Sequence, residues 1–156
     1  MKGIFVFILG FILGIALTIG LIVFLLPSHM FVVKESKLNF NETVSAIEQS
    51  VVDNNWSMPH QYDLQATMKK HGFEVKPVKV FSLCKPEHAY QILGSSDERL
   101  VSALMPCRVA VYEKDGKTYV SMLNSGLFSK FLGKKTSYVM KMASNENKQI
   151  LQPVIN

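Results

Sequence analysis

The sequence predicts one α+β domain, with helices packed on one face of a mostly antiparallel sheet, preceded by a single transmembrane helix. Residues 4–26 carry no charged side chain, and an apolar helix of about this length spans a bilayer. The rest of the chain mixes strand and helix patterns, the clearest being a β-hairpin around Asp115-Gly116. Since strands and helices do not alternate strictly around a glycine-rich turn, a parallel nucleotide-binding sheet is not expected.

The apolar N-terminal segment, residues 1–30, is interpreted as an uncleaved signal anchor. A cleavable signal peptide has a shorter apolar core followed by a small-residue cleavage site, whereas this segment ends in Pro27-Ser28-His29-Met30. A folded domain behind a single N-terminal anchor is expected outside the cytoplasm, in the periplasm where the host has two membranes. The spacing of Gly10 and Gly14 would let two such helices approach closely, which leaves a homodimer open.

The domain itself is expected over residues 31–125 and begins with a short extended stretch. A helix over about residues 40–54 follows, because apolar residues recur there at helical spacing. Asn39 and Glu42 form a capping box at its start, in which each side chain accepts from the backbone N–H group of the other residue. This helix should bury its apolar face in the core.

The next part of the domain alternates between strands and short helices. Residues 56–62 are typical of an edge strand because they contain a proline. Asp63 can cap a short helix that closes at Gly72. Apolar residues then alternate with period two over residues 78–83, which predicts a strand that delivers Cys84 at its end.

A helix is expected from Pro86, because proline is tolerated at the first helical position. Residues 95–98 resemble a second capping box before another short helix. Residues 108–113 and 118–123 are the two arms of the hairpin.

Residues 126–156 are expected to form a basic, partly helical C-terminal extension. Residues 137–151 have a helical apolar pattern that Glu146 interrupts. The chain carries a net charge of +5, and lysines alternate with apolar residues in its last third, which suits contact with a lipid bilayer. These lysines are Lys114, Lys117, Lys130, Lys134, Lys135 and Lys141. Nucleic acid is not expected as a partner, because no basic stripe is interleaved with aromatic residues.

The chain has two cysteines, Cys84 and Cys107, and an even number outside the cytoplasm favours a disulfide or redox pair. Two unpaired, buried thiols are the alternative. His88 lies four residues after Cys84, so the three side chains are a soft set for Cu(I) or Zn²⁺, or for a haem. No cofactor is otherwise predicted.

A thiol enzyme is a further alternative, because Cys84 lies where a strand ends and a helix begins. A helix N-terminus and the neighbouring Lys85 would both lower the pKa of the thiol and favour a nucleophile for redox or sulfur chemistry. No catalytic motif accompanies it, so a non-enzymatic domain is favoured.

The chain resembles the domain of unknown function 302 family over roughly residues 32–125. The resemblance rests on the strand that leads into Cys84-Lys85-Pro86 and on Leu104-Met105-Pro106-Cys107-Arg108 before a strand that ends in Tyr112-Glu113. It implies a compact, dimeric α+β domain whose activity is not established. Cys84 stands where that family typically has glycine, and Cys107 where it has an aliphatic residue, so a shared thiol site follows if the two motifs adjoin.

The expected function is therefore a membrane-anchored, extracytoplasmic binding or interaction domain with an unknown ligand. Arg108 offers a bidentate contact to an anionic ligand. The expected recognition surface lies between the two motifs and comprises Pro86, His88, Tyr90, Pro106 and Arg108.

Overall fold

The structure is a computed structural model that describes residues 2–155. It divides into two compact units, with the boundary between Phe31 and Val32. The first unit contains helix α1, Lys2–Met30, whose segment Val6–Met30 is long and apolar enough to cross a membrane. Membrane anchors and signal sequences share this property.

After α1 the chain forms five strands and a series of helices within the described residues. The strands are β1 Phe31–Glu35, β2 Ser57–Asp63, β3 Val78–Cys84, β4 Cys107–Lys114 and β5 Lys117–Leu123. The helices are α2 Phe40–Asp53, α3 Leu64–Lys70, α4 Pro86–Leu93, α5 Ser125–Phe128 and α6 Lys134–Leu151, with 3₁₀ helices at Glu98–Leu104 and Ser129–Phe131.

The five strands form one sheet in the order β1-β5-β4-β3-β2. The pairs β2–β3, β3–β4 and β4–β5 are antiparallel, which confirms the predicted α+β class. Phe81 lies opposite Val109, and Leu83 lies opposite Cys107. The register therefore brings the end of β3 beside the beginning of β4, where the two sequence motifs meet.

Helices α2 and α6 bury their apolar sides in the same core as one face of the sheet. Ile47 of α2 and Ile150 of α6 are both 0% exposed. The core residues from the sheet are Phe81, Leu83, Val109, Val111, Val120 and Met122. The sequence assigned α6 to a C-terminal extension, and in the structure its last turn contributes Ile150 and Leu151 to this core.

Of the two predicted capping boxes, one is present and one is not. Asn39 and Glu42 form the complete capping box at the start of α2, because both partners lie in one turn and need no distant contact. The second box is wrong, since the 3₁₀ helix at Glu98–Leu104 has no side-chain cap. The Glu98 carboxylate accepts a hydrogen bond from the Thr136 hydroxyl of α6 instead.

Candidate functional site

A carboxylate on α6 collects polar side chains from two distant parts of the chain. One oxygen of Glu146 accepts hydrogen bonds from Trp56 Nε1 at 2.9 Å and from Lys85 Nζ at 2.6 Å. The other oxygen lies 2.8 Å from His88 Nε2. We call Trp56, Lys85, His88 and Glu146 the Glu146 cluster. It joins α6 to the start of α4 and to the residue before β2.

Local sequence places each member of the cluster. Lys85 is the N-cap of α4, with Pro86 at the first helical position. His88 follows within the first turn of the helix, and its ring meets the Trp56 ring edge-on with centroids 5.9 Å apart. Trp56 is 6% exposed, so its N–H group needs a partner inside the protein, which Glu146 provides.

The charge of Glu146 is strongly stabilised. Burial by itself raises the pKa of this carboxyl, but hydrogen bonds from Lys85, Trp56 and His88 outweigh it and lower the pKa to about 2. Glu146 is therefore ionised at neutral pH. An ionised carboxylate only accepts hydrogen bonds, so His88 Nε2 carries the proton that it donates.

The second ring nitrogen of His88 has no partner among the residues that the structure describes. Its Nδ1 atom is buried and makes no hydrogen bond to any residue that the structure describes. Asn147, the residue after Glu146, is 3% exposed and its Oδ1 atom also lacks a partner within residues 2–155. A buried polar atom without a hydrogen bond costs about 1–3 kcal/mol. Such atoms in a native fold call for a specific explanation.

The two cysteines adjoin the cluster as free thiols. Burial raises the pKa of both; at Cys107 a hydrogen bond with Asn147 partly offsets this, and the charge of Cys84 adds to it. The sequence predicted a lowered pKa for Cys84 from Lys85 and the helix N-terminus. The structure reverses that direction, because burial dominates and the Lys85 ammonium pairs with Glu146.

The strand register explains why the thiols lie close without forming a disulfide. Cys107 lies opposite Leu83, so Cys84 is its diagonal neighbour. Strand spacing and rise put such Cα atoms about 6 Å apart, which is within disulfide range. Successive residues of a strand point to opposite faces, however, so a bridge would require the last residue of β3 to turn.

The soft-metal set proposed from the sequence, Cys84, His88 and Cys107, is not assembled. Within residues 2–155 no three histidine, cysteine or acidic side chains are grouped so that they could hold a metal ion. The His88 Nε2 atom faces Glu146. Binding of a soft metal or haem, like the absence of other cofactors, stays a prediction.

The predicted recognition residues are distributed over different faces. Pro86 lies at the start of α4, beside the Glu146 cluster, but Tyr90 is 77% exposed two residues beyond His88. Pro106 precedes β4 after a cis peptide bond. The Arg108 guanidinium lies over the Tyr62 ring at 5.8 Å, opposite Ser82 in the sheet. Of the five residues, His88 alone is in the cluster.

Sequence reasoning missed Glu146, Trp56 and Asn147 as site residues. A signal for Glu146 was nevertheless present, because it follows Val139 and Ala143 and precedes Ile150 at spacings of three and four along one side of a helix. An acidic residue on the apolar side of an amphipathic helix is expected to have a buried cationic or N–H partner.

An antiparallel sheet that shares one core with helices α2 and α6 defines an α+β domain. The family model for the domain of unknown function DUF302 matches residues 32–155. The chain therefore belongs to the DUF302 family, and the match includes α6.

The fold is similar to the crystal structure of an uncharacterised conserved DUF302 protein from Bacillus stearothermophilus, with a TM-score of 0.71 and 18% sequence identity. The similarity covers 78% of this chain and 95% of that one. No curated protein matches the chain.

Proposed function

We propose that this protein is a membrane-anchored, extracytoplasmic DUF302 domain that binds a small polar ligand at the Glu146 cluster. One observation carries the proposal: the buried Nδ1 atom of His88 has no partner among residues 2–155, although Glu146 and Trp56 fix the ring. An imidazole that is rigidly held with one free nitrogen is suited to accept a hydrogen bond from a ligand.

The unpaired atoms indicate the chemistry of the ligand. With Nε2 as the donor to Glu146, a neutral His88 ring offers Nδ1 as an acceptor. The Oδ1 atom of Asn147 is a second buried acceptor. When the His88 ring is neutral, these two acceptors favour a molecule that carries N–H or O–H groups, such as an amine or an alcohol.

Binding fits the electrostatics better than thiol catalysis does. A nucleophilic cysteine requires a lowered pKa, whereas burial raises the pKa of both thiols here. Lys85, the residue after Cys84, is paired with Glu146 at 2.6 Å. We therefore place Cys84 and Cys107 beside the binding site rather than at a reaction centre.

The binding site can be tested on the full-length chain in detergent with ¹⁵N-labelled histidine. Ethanolamine, glycerol, urea and guanidinium serve as probes, and the readouts are the Nδ1 chemical shift of His88 and the melting temperature. We expect at least one probe to change the Nδ1 chemical shift and to raise the melting temperature, as a ligand that binds the folded state does. His88→Phe should abolish the response, while His71→Phe, altered at the exposed C-cap of α3, should retain it. The absence of a response to all four probes would refute the site.

Anchoring and orientation need a separate experiment. We expect the full-length chain, expressed in a bacterium, to remain in membranes after an alkaline carbonate wash. A C-terminal alkaline phosphatase fusion, which is active only outside the cytoplasm, should be active. Release by the wash would contradict the anchor. The orientation would be contradicted if the phosphatase fusion were inactive and a second fusion, with a reporter that fluoresces only in the cytoplasm, were fluorescent.

A redox-responsive thiol pair is a second candidate, favoured by the diagonal placement of Cys84 and Cys107 at the adjoining ends of β3 and β4. Exchange with a small-molecule disulfide would form the Cys84–Cys107 bond while the oxidant accepts two electrons and two protons and leaves as two thiols. Thiol counting after incubation with oxidised glutathione tests this. Loss of both thiols without a glutathione adduct is expected, and two remaining free thiols would rule it out.

A further inference from the structure

Helix α6 presents an exposed basic stripe. Lys134, Lys141 and Lys148 are seven residues apart, so they lie along one side of the helix, and all three are exposed. Tyr138 follows Lys134 by one turn and is 63% exposed. This side is opposite the one that buries Val139 and Ile150 in the domain.

No lysine of this stripe takes part in an ion pair within residues 2–155. The single acidic residue of α6 is Glu146, and its carboxylate is engaged by Lys85, His88 and Trp56. Among the ion pairs of residues 2–155, none involves a lysine of α6. The inward turn of Glu146 therefore leaves the outer side of α6 with uncompensated positive charge.

Large apolar side chains accompany the lysines. Phe131 is 80% exposed in the 3₁₀ helix that ends two residues before the N-cap of α6. Aromatic residues that combine with lysines on an exposed surface are typical of proteins at the membrane–water interface, where the ring enters the headgroup region. We call Lys134, Tyr138, Lys141 and Lys148 the basic face.

We propose that the basic face docks on anionic phospholipid headgroups of the membrane that α1 spans. The inference rests on the proposed anchoring of the chain. The domain begins at Val32, directly after the apolar helix in the sequence, so anchoring by that helix would tether the domain to the bilayer. A tether of this kind raises the effective concentration of lipid around the domain, which favours lipid over nucleic acid or an acidic protein.

Docking should depend on lipid charge and on salt. Each lysine near an anionic surface strengthens attachment about five-fold, so the three lysines together contribute about 100-fold. The attraction should weaken strongly at high ionic strength because it is screened over about one Debye length.

The experiment uses the full-length chain in nanodiscs of phosphatidylcholine, with or without about 30% phosphatidylglycerol, which supplies the anionic surface. An uncharged acetylating reagent modifies accessible amines, and mass spectrometry gives the rate at each lysine. We expect acetylation of Lys134, Lys141 and Lys148 to slow at least five-fold in anionic discs and to recover in high salt. Lys69 and Lys70, in the last turn of α3, serve as internal controls and should not change.

Two variants separate docking from a general effect of the disc. Lys141→Gln should reduce the protection of Lys134 and Lys148 several-fold, whereas Lys70→Gln should leave it unchanged. Equal acetylation rates of the three lysines in discs with and without phosphatidylglycerol would overturn the proposal. Failure of the chain to enter nanodiscs at all would instead refute the anchor, so the two failures are distinguishable.

Discussion

The two longest helices of this chain, α1 with 29 residues and α6 with 18, are stabilised in different ways. Helix α1 is apolar on every side, and large side chains such as Leu13 and Ile15 are exposed within the structure. Helix α6 is polar on average and buries one side, including Val139 and Ile150. The first helix is suited to lipid as its solvent, and the second depends on particular partners in the domain.

This difference predicts how each helix responds to substitution. In α1 the effect should depend on the hydrophobicity of the new side chain and little on its position around the helix. In α6 it should depend on which side the residue occupies, because one side packs in the core and the other meets solvent. Matched substitutions in the two helices test the comparison directly.

The largest effect should come from truncating a core residue of α6. Ile150→Ala should lower the free energy of unfolding of the domain by about 3 kcal/mol, because it leaves a cavity around a fully buried side chain. Ile15→Ala in α1 should not change it. Urea unfolding followed by fluorescence of the single tryptophan, Trp56, gives both values. Equal losses of unfolding free energy in the two variants would contradict the proposed difference between α1 and α6.

A charged side chain in α1 should cost about as much free energy of membrane insertion as the Ile150 truncation costs in domain stability. On the outer side of α6, the presence or absence of a charge should hardly change domain stability. Leu13→Lys should disfavour membrane insertion by about 3 kcal/mol. The reverse change, Lys141→Leu, should alter domain stability by no more than about 0.5 kcal/mol. The amount of chain in carbonate-washed membranes measures the first effect, and urea unfolding measures the second. Full retention of Leu13→Lys in the membrane would argue against a spanning helix.

Removing the charge of Glu146 should have a smaller effect that is still specific to one side of α6. Glu146→Gln leaves Lys85 without its carboxylate, and we expect a loss of about 2 kcal/mol in unfolding free energy. The control Lys148→Gln, two residues further on the same helix, should change stability by about 0.5 kcal/mol at most. Similar losses for both variants would mean that the cluster does not hold α6 in place.

The smallest effect is the pH dependence of the stabilisation that the Glu146 carboxylate provides. A carboxyl with a pKa of about 2 in the folded state and 4.5 as its ordinary value stabilises the fold fully above pH 4.5 and loses this as pH falls toward 2. Between pH 7 and pH 4 the natural chain should lose about 1 kcal/mol or less relative to Glu146→Gln. A constant difference between the two proteins down to pH 2 would contradict the lowered pKa.

Prediction from the sequence worked best where the determining contacts are local. The capping box at Asn39, the strand over residues 78–83 and the hairpin at Asp115-Gly116 each depend on residues within a few positions of one another. The second capping box was wrong because Thr136, 38 residues away, engages Glu98. Local rules hold until a distant partner competes for the same side chain.

Only part of the candidate site could be predicted from the sequence, because its residues come from distant parts of the chain. Cys84, Lys85 and His88 drew attention because the first motif brings them together in sequence. Glu146 lies 58 residues beyond His88 and 90 beyond Trp56. In the sequence, Glu146 only interrupts the apolar pattern of a helix. The residues next to it in the chain do not show which hydrogen-bond donors surround it in the fold.

Hydrophobic periodicity and capping act over a few residues, so the apolar N-terminal helix, the α+β class and most helix starts could be predicted without the structure. The folded domain was needed to show that Glu146 turns inward to Lys85 and His88, and that Cys84 and Cys107 are diagonal neighbours with free thiols. These relations depend on strand register and on how α6 packs on the sheet, and such long-range packing is fixed only when the whole core assembles.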